Sequence, residues 1–171
     1  YNNEAYYPTY VAASCSIQKN TGYKGTNAIY INMTDTAQRF IGLRWENITI
    51  ITGATYMLSV LVKSPDITTY TQGASIELRV NPSGANKSFS TSIVPPKSGV
   101  WQQIPWSFTG PATVLNETTS KNEVPTSVTV MMYIVAAGKL YLCRPMMEQS
   151  DTFTGWSLSE KDFDYVGGNI L

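Results

Sequence analysis

The feature that most constrains this chain is the stretch Gly53-Ala-Thr-Tyr56-Met-Leu58-Ser-Val60-Leu-Val62-Lys63-Ser64. From Tyr56 onward every second residue (Tyr56, Leu58, Val60, Val62) is large and apolar, whereas Met57, Ser59, Leu61 and Lys63 form a mixed set. A period of two with one uniformly apolar set belongs to a strand that buries one face. Gly53 supplies the turn into it, and Ser64-Pro65-Asp66 stops it, because proline brings no donor to a continuing ladder. The spacing predicts a central strand of an antiparallel sandwich. Its second face, with Ser59, Leu61 and Lys63, is the first place to look for a ligand surface.

The same period recurs in short pieces over residues 10–17, 28–33, 40–50, 75–80, 87–93 and 100–108, separated by clusters such as Asn81-Pro-Ser-Gly84 and Pro95-Pro96-Lys-Ser-Gly99. Residues 126–135 and 139–146 read as a hairpin over Ala136-Ala137-Gly138. Residues 109–125 are polar and aperiodic and read as a long loop of the kind that often carries function. No segment keeps a helical period over about 11 positions. The expected fold is therefore all-β, a two-sheet antiparallel β-sandwich or jelly roll. Within it Trp101 reads as a cap on a core edge, Arg144-Pro145 as the close of an edge strand, and Trp156 as a plug over one end.

Composition excludes more than it proposes. The 171 residues contain no histidine, which removes Ser-His-Asp and Cys-His nucleophiles, histidine-ligated zinc and histidine proton shuttles. A carboxylate pair or a Ser-Lys arrangement is left open by arithmetic alone. Twelve basic residues balance twelve acidic ones, so no field draws the chain to nucleic acid or an anionic membrane. No run of about 18 apolar residues predicts membrane insertion. The start Tyr1-Asn2-Asn3-Glu4 does not read as a signal peptide, which points to a mature chain or an excised piece. Cys15 and Cys143 read as two buried free thiols, with a bridge between them as the alternative in an oxidising compartment. The sequons at Asn32, Asn47, Asn86 and Asn116 are expected by chance in a chain rich in Asn, Ser and Thr. One module over residues 1–166 is expected, with 167–171, opening on Gly167-Gly168, as the start of a linker.

Taken in order, Gly22-Tyr-Lys-Gly25, then Gly53 to Lys63, then Gly99-Val-Trp101 resemble the galactose-binding-like jelly-roll carbohydrate-binding modules grouped as families 4 and 9. The ending Leu140-Tyr-Leu-Cys-Arg144-Pro145-Met146-Met-Glu148, followed by Phe153-Thr-Gly-Trp156, is similar to the close of jelly-roll modules on bacteriophage tail and baseplate proteins. The resemblance implies a non-catalytic module that attaches to host cell-surface or cell-wall polysaccharide beside other modules of one tail protein, and free thiols with unglycosylated sequons favour assembly in a bacterial cytoplasm. It also implies a structural calcium, for which Glu4, Asn2 or Asn3 near the start and Glu148 or Asp151 after the last strand are the oxygen-rich candidates.

A saccharide site needs flat apolar surface beside side chains that pair with vicinal hydroxyls. The positions left over by each strand's alternation collect Arg44, Ser59, Lys63, Glu77, Arg79, Met131, Tyr133 and Tyr141, and of these Arg44, Lys63, Glu77, Arg79, Tyr133 and Tyr141 are expected to contact sugar in one shallow trough. Asn116, Thr118 and Lys121 of the long loop are expected to border it. The plain alternative is a solvated sheet face with cross-strand charge pairs. Two other functions stay open: the same module appended to a secreted glycoside hydrolase, and a purely structural virion domain.

Overall fold

A computed structural model of the chain describes residues 13–34, 41–66, 68, 75–85, 89–93, 98–135 and 137–155. These hold β1 (Ala13–Gln18), β2 (Ala28–Met33), β3 (Ile41–Thr49), β4 (Thr55–Lys63), β5 (Ser75–Pro82), β6 (Phe89–Ile93), β7 (Gln102–Thr109), β8 (Val114–Leu115), β9 (Asn122–Glu123), β10 (Ser127–Val135) and β11 (Gly138–Glu148). One sheet runs β1-β2-β11-β4-β7, a second runs β3-β10-β5-β6, and β8-β9 form a small ribbon, every pairing being antiparallel. The two-sheet sandwich expected from the alternation is the observed architecture.

The core lies where the two sheets face each other. From the five-stranded sheet come Ile31, Met33, Tyr56, Leu58, Val60, Val62, Ile104, Phe108, Leu140 and Leu142, and from the four-stranded sheet Leu78, Val80, Val128, Val130, Met132 and Ile134. Burial of each large apolar side chain stabilises the fold by about 1.5–3 kcal/mol, and the strict alternation puts all of them on one side of their strands. Tyr56 stacks on Phe108 with ring centroids 5.3 Å apart, and its hydroxyl accepts the Ile51 backbone N–H at 2.6 Å. The polar tip of a core aromatic is thus satisfied by the turn at Gly53, whose φ of +76° suits glycine.

Three sequence expectations are corrected. Strands β10 and β11 do not form a hairpin: β10 lies between β3 and β5, β11 between β2 and β4, so the two belong to different sheets. Both arrangements show the same alternation, because Ile134 and Leu140 reach the core either side by side or from opposite layers. Arg144-Pro145 does not close the strand, since β11 runs on to Glu148, but it does have an edge on one side: the pairing with β2 ends at Leu142↔Ile29, and against β4 the register jumps from Cys143↔Leu61 to Met146↔Ser59. Two residues oppose one there, a β-bulge, and a bulge tolerates a proline without a donor. The stretch 109–125 is not structureless, since it folds into the β8–β9 ribbon. Trp156 lies outside the described residues.

Candidate functional site

Because 56, 58, 60 and 62 of β4 face the core, 57, 59, 61 and 63 face outward. The register sets Lys63 beside Tyr141 and Tyr141 beside Tyr30, and one step along sets Leu61 between Cys143 and Gln103. Trp101, just before β7, continues the pairing Val62↔Gln102 and reaches Lys63. The Lys63 ammonium lies 4.9 Å from the Trp101 ring centre and 5.1 Å from that of Tyr141, and Tyr141 lies 4.7 Å from Tyr30. A cation over two aromatic faces is held by their negative quadrupoles. Below these rings Ala28, Leu61 and Cys143 form a second apolar cluster, against which Tyr23, Trp101 and Tyr141 pack. An apolar floor with rings around it makes a basin.

The opposite rim depends on two backbone devices. Gly22-Tyr-Lys-Gly25 makes a single 3-10 turn at Tyr23–Gly25 in which Gly22 N–H donates to the Thr26 carbonyl at 2.7 Å and the Thr26 hydroxyl donates to the Tyr23 carbonyl at 2.9 Å. A Cβ on Gly22 would come within 2.6 Å of the Thr26 hydroxyl oxygen and 2.7 Å of its carbonyl, so the close approach requires glycine. This turn sets Tyr23 over the sheet, where its N–H donates to Cys143 Sγ at 3.4 Å. The bulge, with Arg144 at φ +49°, re-aims that residue so its guanidinium lies 5.2 Å from the Tyr23 ring centre.

Burial raises the Cys143 thiol pKa, against the Tyr23 and Thr26 hydrogen bonds and the nearby Arg144 and Lys63 cations, which lower it. It therefore stays a neutral thiol at neutral pH, and the floor stays apolar. Cys15 is also raised by burial but packs on the core side of the sheet, so the two free thiols face opposite ways. Of the buried polar atoms on the outward positions of this sheet, Asn32 Oδ1, Ser59 Oγ and Gln103 Nε2 have no hydrogen-bond partner among the described residues. Such a group costs about 1–3 kcal/mol, and an unmet one is a place to look for a ligand. Glu148 is the one carboxylate on the five strands, and it accepts from the Thr154 N–H at 3.1 Å and from the Thr154 hydroxyl. The surface can stack and hydrogen-bond.

Of the six residues expected in one trough, Lys63 and Tyr141 lie here. Arg44, Glu77 and Arg79 occupy the exterior of the four-stranded sheet, in rows Arg44↔Met131↔Arg79 and Glu77↔Tyr133, on the far side of the sandwich. Tyr133 joins that row by its backbone, its side chain being outside what the structure describes. The single trough is thus corrected to two exteriors, because alternation separates in from out but does not say which sheet a strand enters. Asn116, Thr118 and Lys121 belong to the ribbon. Asn116 Oδ1 accepts the Thr118 N–H at 2.9 Å, its amide donates to Glu123 at 2.7 Å, and Glu117 N–H donates to the Gly84 carbonyl at 3.1 Å, which ties the ribbon to the turn after β5. For calcium, Glu4, Asn2 and Asn3 lie outside the described residues and Asp151 is exposed in the turn after β11. No group of three or more His, Cys, Asp or Glu that could hold a metal occurs among the described residues. Trp101, read as a core cap, instead forms a wall of the basin, and Tyr23, Tyr30, Gln103 and Arg144 were not singled out as ligand residues. Tyr30 was legible as the outward partner between Ile29 and Ile31; Arg144 was not, since its direction comes from the bulge.

No protein-family model and no curated protein sequence matches the chain. Solved structures place its fold among the jelly-roll sandwiches of carbohydrate-binding modules. The C-terminal family 22 carbohydrate binding module of a Clostridium thermocellum xylanase superposes with a TM-score of 0.57 at 15% identity, over 88% of this chain and 87% of that one. The CBM22-1–GH10 modules of Clostridium thermocellum endo-1,4-beta-D-xylanase 10B, solved with xylohexaose, give 0.55 at 15% identity over 82% of this chain, which spans 25% of theirs. The enzymatically active domain of a bacteriophage CBA120 tailspike protein gives 0.54 at 9% identity, over 81% of this chain and 18% of that one.

Proposed function

We propose that this chain is a non-catalytic carbohydrate-binding module of a phage tail or baseplate protein, which attaches to host cell-surface or cell-wall polysaccharide through the exterior of its five-stranded sheet. The observation that carries this reading is the row Trp101–Lys63–Tyr141–Tyr30 above the Ala28, Leu61 and Cys143 floor. Aromatic faces take the C–H faces of a pyranose. The Arg144-Pro-Met-Met-Glu148 ending and the unbridged thiols support a virion context assembled in the bacterial cytoplasm, with other modules of the same tail protein as neighbours. A structural calcium shared by Glu4 and Asp151 belongs to the same reading, and a melting curve insensitive to chelator removes it.

A second reading, a module appended to a secreted glycoside hydrolase, is favoured by the xylanase modules that share the fold. Pull-down on bacterial walls, on the same walls stripped of polysaccharide, and on insoluble xylan separates the readings. Retention on intact walls alone, lost in Tyr141→Ala, is the expected result. Retention on xylan alone moves the module to a hydrolase, and retention on none, with an unchanged melting curve, leaves a structural virion domain.

A further inference from the structure

The basin carries charge that a neutral sugar does not need. Lys63 is outward on β4, and its two described partners are the Trp101 and Tyr141 rings; no carboxylate among the described residues pairs with it. Arg144 supplies a second cation over Tyr23 at the other rim, and both lie close enough to Cys143 to act on its thiol. Between them the floor is apolar, and the strands' one carboxylate, Glu148, accepts from Thr154. The Lys63 ammonium, with no carboxylate against it among the described residues of a chain with zero net charge, forms a local feature, set against a whole molecule that attracts no anion.

We propose that the saccharide bound in this basin is anionic, with a carboxylate or phosphate on the sugar seated at Lys63 while the sugar rings stack on Trp101 and Tyr141. The inference rests on the binding site proposed above and names its substrate class. An ammonium already flanked by two rings is ordered before the ligand arrives, so contact with an anion sacrifices little side-chain freedom. The hydrogen bond it makes is charge-assisted and shorter than a neutral one. Ring stacking and the charge contact then fall on adjacent positions of one face, and a polymer with one acidic group per repeat matches that spacing without a deep pocket.

The test is equilibrium binding of the full chain to three pairs of probes: glucuronic-acid-bearing xylan and the same polymer with its carboxyls reduced, a phosphodiester-linked wall glycan before and after phosphate removal, and a neutral glucan at low and high salt. The anionic member of at least one pair is expected to bind about tenfold tighter than its neutral counterpart, with affinity falling as salt rises. The pair that discriminates tells carboxylate from phosphate. Lys63→Gln is expected to erase the difference between the members of that pair and Lys63→Arg to keep it, with melting curves checking that both variants fold. Equal binding of charged and neutral members, or a Lys63→Gln variant that still discriminates, overturns the anionic assignment and leaves the module a binder of neutral saccharide. Binding of no probe overturns both this inference and the site on which it rests.

Discussion

The two exteriors of the sandwich are built from strands of the same kind and differ in what they present outward. On the four-stranded sheet Arg44 pairs with Glu46, Met131 is 1% exposed in the row between Arg44 and Arg79, and Glu77 continues the polar set. Long charged side chains there cover an apolar residue with their stems and leave their heads in water, as an ordinary solvated face does. On the five-stranded sheet the charges lie on rings, Ser59 is fully buried although it faces away from the core, and the floor residues are apolar. Buried polar atoms without a hydrogen-bond partner among the described residues occur on both exteriors, Asn32 Oδ1 and Gln103 Nε2 on this one and Asn81 Oδ1 on the other. The difference teaches that the candidate binding face is marked by rings around an apolar floor; outward charge is common to both faces.

The largest effect expected is on the layer the two faces share. Leu58, 1% exposed in the core, faces the opposite sheet, and Leu58→Ala is expected to cost about 2–5 kcal/mol by denaturant unfolding. A loss under 1 kcal/mol would mean the sheets do not pack as described, and the contrast between their exteriors would have no frame. Next comes the contrast itself. Trp101→Ala is expected to weaken saccharide binding about tenfold or more, as loss of an aromatic anchor does, while Arg79→Ala stays within about twofold. Titration of both variants against the same polysaccharide checks this. The reverse order would move the site to the four-stranded face.

Much of the architecture was legible because alternation is a local signal, and every core residue of β4 follows from it. What escaped was the third dimension of the site. Lys63 and Arg79 look alike in sequence, each an outward cation that follows an apolar inward residue (Val62, Leu78), and only the strand order β2-β11-β4-β7 against β3-β10-β5-β6 sends them to opposite sides. The placement of β10 and β11 in different sheets was hidden for the same reason. Arg144 was out of reach because a positive φ in a bulge, not a period, decides where it points. Tyr23 was visible only as part of a glycine-bounded turn whose position over the sheet depends on Cys143, 120 residues away.

A smaller effect sharpens the comparison. Ser59→Ala removes a buried hydroxyl that has no partner while keeping the volume nearly constant, so the unliganded protein is expected to gain about 1 kcal/mol or less. Saccharide affinity is expected to stay unchanged, because a hydroxyl that is 0% exposed is out of reach of a ligand on the rings. Melting curves with and without ligand check both statements. If Ser59→Ala destabilises the free protein, the hydroxyl already has a partner.

The smallest effect lies in the alkaline range. Burial raises the folded pKa of both thiols, so the protonated form is the one the fold favours. That preference contributes fully below the ordinary thiol value of about 8.5 and is lost as pH climbs through the raised folded value, which gives stability a downward slope on the alkaline side. Cys15→Ala and Cys143→Ala are each expected to flatten part of that slope, read as the difference between wild-type and variant curves so that tyrosine ionisation cancels. The two thiols then part ways. Saccharide covering the basin desolvates Cys143 further and leaves Cys15, on the core side, unchanged. Affinity is therefore expected to fall more steeply with rising pH in wild type and in Cys15→Ala than in Cys143→Ala, the difference between the curves cancelling whatever the Lys63 ammonium contributes. Equal slopes in wild type and Cys143→Ala would place the ligand away from this floor.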